Sequence, residues 1–273
     1  MTKEQEIKHV FEQKDIIIAR KKAAVKHADV VLNVYSEDKT VADKAAIDLS
    51  SEDINSLKAK LVINTTNLID SHLDCHIPGI WTKSLQEIGL FFLLQEHDMS
   101  FDKIIADSKN EGLKAYAKTV SWSSLEMKYP GNTQALIFET SIRKERNEFM
   151  FNQYRKGYVL NHSVGMRYVK IFLCIDSNEP MYSSEKANWD KYYPQVANVE
   201  LADEKGYFWA VTEAKVIEGS AVVKGSNCVT PVMELEAEKN INENEPPAGT
   251  QQNGAGETTP KTGNNNLSIY QFN

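Results

Sequence analysis

Three segments of this chain set a polar, reactive side chain at the edge of a strongly apolar stretch. In LFFLLQEHD, His97 follows a continuous apolar run, so a rigid strand would hold the imidazole at its polar mouth. In NHSVGM, Ser163 directly precedes a strand-like run, and Gly165 allows close approach by a ligand or a neighbouring chain. In VIEGS, Glu218 lies within an apolar stretch, where an ionised carboxylate is costly unless it is paired or hydrogen-bonded. A hydroxyl, an imidazole and a carboxylate are the parts of a nucleophilic triad, in which a base removes the serine proton and a third group orients that base. Each residue also has a plainer reading: a structural histidine at a strand end, a hydrogen-bonded turn serine, a glutamate in a salt bridge. Spacing alone does not show that the three meet.

A competing constellation is SHLDCH. In an extended segment His72, Asp74 and His76 share one face, because strand side chains alternate. With His97 as a further ligand, they could bind zinc or another divalent ion and support a metal hydrolase. Cys75 points the other way and has no assigned base. His162 offers a second imidazole beside Ser163, but adjacent residues on a strand face opposite sides. His9 and His27 are expected to face solvent on an N-terminal helix.

The elements that must position these residues follow from periodicity. Residues 4 to 33 carry Ile7, Val10, Phe11, Ile17, Ile18, Val25 and Val30 near helical spacing, as one amphipathic helix with a break. Ser50 or Ser51 can cap a short helix running through Leu57, and the β-branched LVINTTNLID predicts a strand at 61–70. Pro78-Gly79 makes a turn, TKSLQEI a short helix ended by Gly89, and LFFLL a fully buried strand. A strand is expected at 113–120. ETSIRKERNEFMFNQYRKG is expected to form a helix through Ile142, Phe149 and Tyr154, with Gly157 as its cap. In HSVGMRYVKIFLCI, Val169, Ile171, Leu173 and Ile175 alternate with Lys170, Phe172 and Cys174, the period of a strand with one face inward. Residues 177–205 are polar, with Pro180 and Pro194, and read as a surface excursion carrying one helix. The sheet resumes at GYFWAVTEAKVIEGSAVV. From about Glu238 the apolar residues run out, and the segment 238–273 is expected to be a disordered tail.

Composition narrows the functional classes. Apolar residues at 41% and charged residues at 25% of 273 are the proportions of an ordinary globular chain. A net charge of −7 with no long basic run speaks against nucleic acid as a partner. No window approaches the roughly 18 apolar residues of a membrane span, and MTKEQEIKHVFEQK lacks the apolar core of a secretory signal. Three cysteines without CxxC spacing fit neither a disulfide framework nor a structural zinc site, and they suit a reducing cytoplasm.

Taken in order, the segments resemble the tailed-phage prohead protease family, whose fold is shared with the herpesvirus capsid-maturation proteases. NLIDSHLDCHIPGIWTKSL is similar to the family's opening, an acidic loop followed by proline, glycine, a bulky residue and a Ser-Leu helix start. LFFLLQEHD resembles its apolar strand ending in His-Asp, GYVLNHSVGM its strand entry around the serine, and VIEGSAVVKGSNCVTP its closing Glu-x-Ser strand. The resemblance covers roughly residues 61 to 235. It implies His97 as general base, Ser163 as nucleophile and Glu218 as third member, with no cofactor; the oxyanion donors such a site also needs are not assigned by it. The implied fold is mixed α and β with a strand-dominated core, a partly closed β-barrel with flanking helices. The expected organisation is a helical segment at 1–60, the barrel domain at 61–237 with the excursion at 177–205, and the tail. The implied activity is cleavage of major capsid or scaffold protein during procapsid maturation, including self-cleavage, inside the assembling shell in the host cytoplasm. Homodimerisation is implied too. The alternative within the same fold is an inert assembly protein that contacts capsid subunits through its helix and tail.

Overall fold

The structure, a computed structural model, describes residues 2–25 and 54–238. Strands dominate, arranged in two sheets with helices around them. The first sheet has four antiparallel strands: β1 (Ser56–Thr65), β5 (Lys114–Ser121), β6 (Asn132–Arg143) and β9 (Val232–Ala237), in the order β5-β6-β1-β9. The second is built on β8 (Tyr207–Val222), which pairs along its length with antiparallel β7 (Asn161–Ile175). Two short strands run parallel to β8: β2 (Asp74–His76) and β3 (Phe92–Gln95). β4 (Ile104–Asp107) completes the sheet beside β3. Neither sheet closes into a barrel among the described residues.

One core joins the sheets, with Leu57, Leu61 and Ile63 of β1 and Phe138 of β6 against Leu93, Val164, Met166 and Val216 of the second sheet. The sheets press together at Gly219, where an added Cβ would lie 2.7 Å from the Phe138 ring and 3.0 Å from Ile63. A side chain at 219 would force the layers apart, so glycine is required by packing there.

The N-terminal helical stretch breaks at Gln13 into α1 (Lys3–Glu12), capped by Thr2 with Gln5 in a capping box, and α2 (Lys14–Ala23). α1 buries Ile7 and Val10 in the main core, and Phe11 meets Tyr182 edge-on at 4.9 Å. α3 (Thr82–Glu87) forms where TKSLQEI predicts it. α4 (Glu148–Arg155) is shorter than expected: residues 139–143 belong to β6, whose alternating burial and pairing to β1 override the helical spacing. Phe149 accordingly points outward while Met150, Phe151 and Tyr154 are buried, and Gly157 follows the helix at φ +69°.

Three further expectations are corrected. β1 begins at Ser56 rather than 61, so Leu57 is in a strand, not a helix; residues 50–53 lie outside the described set. The excursion at 177–205 carries two helices, α5 (Ser183–Tyr192) and α6 (Val199–Lys205). It is anchored, because Trp189 and Tyr192 pack with Phe208 in a second apolar cluster. The alternation in β7 holds for Ile171, Leu173 and Ile175, but Val169 is exposed and Cys174 buried, because bulges around Lys170 shift the register. His27 and the tail beyond Glu238 lie outside the described residues.

Candidate active site

Glu218 and Ser220 stand two apart on β8, and Ser163 and Gly165 two apart on β7. The register pairs Ser163 with Ser220 and Gly165 with Glu218, so all four residues share one face of the sheet. Directly opposed residues on antiparallel strands place their Cβ atoms roughly 4.5–5.5 Å apart, which sets the serine pair side by side. Between Glu218 and Ser220, Gly219 faces the other way, toward Phe138.

His97 reaches this face from β3, which lies along β8 with Leu94 opposite Ser220 and Gln95 opposite Ala221. The chain then turns sharply: Asp98 N–H donates to the Gln95 carbonyl at 3.0 Å, and the central residues Glu96 and His97 have φ of +53° and +60°. Left-handed φ at both central positions is the pattern of a turn that favours Asn and Gly. Adopting it with Glu and His costs roughly 1–2 kcal/mol per residue. Three hydrogen bonds offset this. Glu96 N–H donates to the Ala221 carbonyl (2.9 Å), Glu96 Oε1 accepts from Val223 N–H (3.0 Å), and His97 N–H donates to Ser220 Oγ (3.1 Å).

The turn delivers the imidazole onto the carboxylate. His97 Nδ1 lies 2.6 Å from Glu218 Oε1, with the two side chains 9% and 2% exposed. A carboxylate acceptor fixes the tautomer: Nδ1 carries the proton and Nε2 is the basic nitrogen. The other carboxylate oxygen, Oε2, accepts from Ser220 Oγ–H at 2.6 Å. Gly165 makes room for all of this, because a Cβ there would lie 1.9 Å from Glu218 Oε1. The sequence marks Gly165 as a point of close approach, and what approaches is Glu218. Of the residues singled out in the sequence, His97 and Glu218 are in contact, and Ser163 lies on the same sheet face, across the strand pair from Ser220, which bonds both His97 and Glu218. Ser163 is buried and borders a small polar cleft shared with Asn64, Asp70, His76 and Tyr168. Sequence reasoning passed over Ser220 as a participant; its signal was the i, i+2 spacing from Glu218, which puts both on one face.

His162 faces away from Ser163, as strand alternation requires. His162 is fully buried on the opposite strand face, its Nδ1 2.9 Å from the Thr230 carbonyl and its Nε2 3.0 Å from Tyr154 OH. Burial pushes its pKa down to about 4, so the ring is neutral and structurally committed.

The SHLDCH segment forms a polar network instead of a metal site. His76 Nδ1 lies 2.9 Å from Asn64 Oδ1, and its Nε2 3.0 Å from Tyr168 OH. Tyr168 OH donates to Asp74 Oδ2 (3.0 Å), and Lys21 of α2 forms an ion pair with Asp74 Oδ1. Among the described residues no group of three His, Cys, Asp or Glu could hold a metal ion, which corrects the expectation for His72, Asp74 and His76. Asp70 Oδ1 accepts from the backbone N–H groups of His72 (2.8 Å) and Asp74 (2.9 Å). Burial, with the Asp74 charge beside it, raises the Asp70 pKa to about 7. Cys75 is buried too, and burial pushes its thiol well above the usual range, so it is no nucleophile.

No described helix is long and apolar enough to cross a membrane. Comparison with family models, curated proteins and solved structures gives no match for this chain.

Proposed function

We propose that this chain is a serine endopeptidase that cleaves capsid or scaffold protein segments during phage procapsid maturation, itself among its substrates. The observation that carries this reading is the buried His97–Glu218 pair at 2.6 Å with Ser163 on the same sheet face. His97 Nε2 takes the Ser163 proton as Oγ attacks the peptide carbonyl; Glu218 holds the imidazole and stabilises its charged form. The proton then passes to the leaving amine, and water, deprotonated by the same nitrogen, releases the acyl group from Ser163. Proton transfer of this kind contributes about 10² to 10⁴ in rate. Three of the four segments that resemble the prohead proteases in sequence lie side by side on this sheet, which favours that family and its fold over an unrelated hydrolase. The site of action that follows is the assembling procapsid in the host cytoplasm, with the protein working as a homodimer.

A fluorophosphonate probe, which reacts with activated serines, tests the chemistry without knowledge of the cleavage site. The parent chain is expected to be labelled at Ser163 and to process co-expressed scaffold or capsid protein; Ser163→Ala is expected to lose both. Cleavage that persists in Ser163→Ala would remove the proposal, and a parent chain inert in both assays would leave the assembly role.

A further inference from the structure

We infer that Ser220 is a positioning residue for the imidazole, acting on it from two sides. Its hydroxyl has one proton and two lone pairs. The proton goes to Glu218 Oε2 (2.6 Å), and a lone pair accepts from the His97 backbone N–H (3.1 Å). The first bond fixes the rotation of the carboxylate, so that Oε1 is presented to Nδ1. The second holds the backbone of the residue whose side chain Oε1 receives. One buried hydroxyl thus couples the orientation of the acceptor to the conformation of the donor, in a loop closed through the His97 side chain.

Two features make the coupling strong. Ser220 is fully buried, so water does not substitute for it. The turn at Glu96 and His97 has left-handed φ without glycine, a conformation that persists only where surrounding bonds impose it. The bearing on catalysis rests on the peptidase reading above, whereas the hydrogen-bond loop stands without it.

The experiment uses the full chain, isotope-labelled, with Ser220→Ala and Ser220→Cys. Ser220→Ala deletes only the hydroxyl; Ser220→Cys keeps its shape with a weak donor, and carries the comparison should the alanine variant not fold. Three quantities are read: hydrogen exchange of the His97 amide, the low-field resonance of the His97 Nδ1 proton, and the rate of fluorophosphonate labelling at Ser163. A hydrogen bond to a charged group shifts an equilibrium by about ten- to a hundredfold. In Ser220→Ala, exchange at the His97 amide, which loses a neutral acceptor, is expected to rise about two- to tenfold relative to Leu93, the Nδ1 resonance to move or broaden, and labelling, which depends on the bond to the charged Glu218, to slow about tenfold or more. Ser220→Cys is expected to fall between. Unchanged exchange and an unmoved Nδ1 resonance in either folded variant would overturn the inference. If both spectroscopic changes occur while even the parent chain resists labelling, the positioning role stands and the peptidase reading fails.

Discussion

Replacing Gly165 by alanine should disable the site without replacing any side chain of the proposed triad. The new Cβ would lie 1.9 Å from Glu218 Oε1, 2.8 Å from Cδ and 3.0 Å from Cγ. Carbon and oxygen in contact sit about 3.3 Å apart, so the carboxylate must retreat by about 1.4 Å. A shift of that size takes Oε1 out of its 2.6 Å bond with His97 Nδ1 and strains the Ser220 bond on the other oxygen. The glycine cannot yield instead, because it sits in the β7–β8 ladder with Glu218 as its direct partner. Leaving a buried charged acceptor unsatisfied costs about 1–3 kcal/mol or more. Loss of the orienting carboxylate in a triad lowers kcat by about 10⁴. The assay is labelling of Ser163 by fluorophosphonate alongside thermal melting. The expected outcome is a fall in labelling of about three to four orders of magnitude with a folded chain and a lowered Tm. Parent-like labelling in Gly165→Ala would refute the claim that Glu218 acts through His97.

Other perturbations test the surroundings. Lys21→Met removes the cation from the fully buried Asp74 side chain and should lower stability by about 3–5 kcal/mol; adding Asp74→Asn should recover much of the loss in urea unfolding. Two buried groups act oppositely on acid stability. His162, neutral in the native state with its pKa lowered to about 4 from 6.5, lets the unfolded chain bind a proton that the native chain does not, so its contribution is lost as pH falls from 6.5 toward 4. Asp70, raised to about 7 from 3.8, takes its proton in the native state first, so its contribution grows as pH falls from 7 toward 4. Asp70→Asn should therefore steepen acid destabilisation, with the stability difference shifting in the parent's favour as pH falls from 8 to 4 in urea titrations.

The strands carrying the site were legible because their signals are local. An unbroken apolar run marks β3, alternation marks much of β7, and a long β-branched and aromatic stretch marks β8. The residues at their polar ends could be named for the same reason. β6 was hidden, since Ile142 lies at helical spacing from Phe149, and only its pairing with β1 decides between the two periods. The left-handed turn at Glu96 and His97 was illegible too: neither residue type favours it, and the bonds that impose it come from β8, more than a hundred residues away in the chain. The SHLDCH segment misled for a related reason. Its side chains are of metal-binding type, but their partners, Asn64, Lys21 and Tyr168, are recruited from other elements.

The central place of β8 has a consequence for synthesis. An imidazole at 97 and a hydroxyl at 163 leave the ribosome well before residues 207–222, and without that strand β7 lacks the neighbour it pairs with and β3 keeps only β4. Pairings across such sequence separations form late, because loop closure must precede them. A nascent or truncated chain therefore carries His97 and Ser163 without the strand that places them on one sheet face. Under the proposed peptidase reading, the strand order itself would keep the nascent chain inactive until β8 is made.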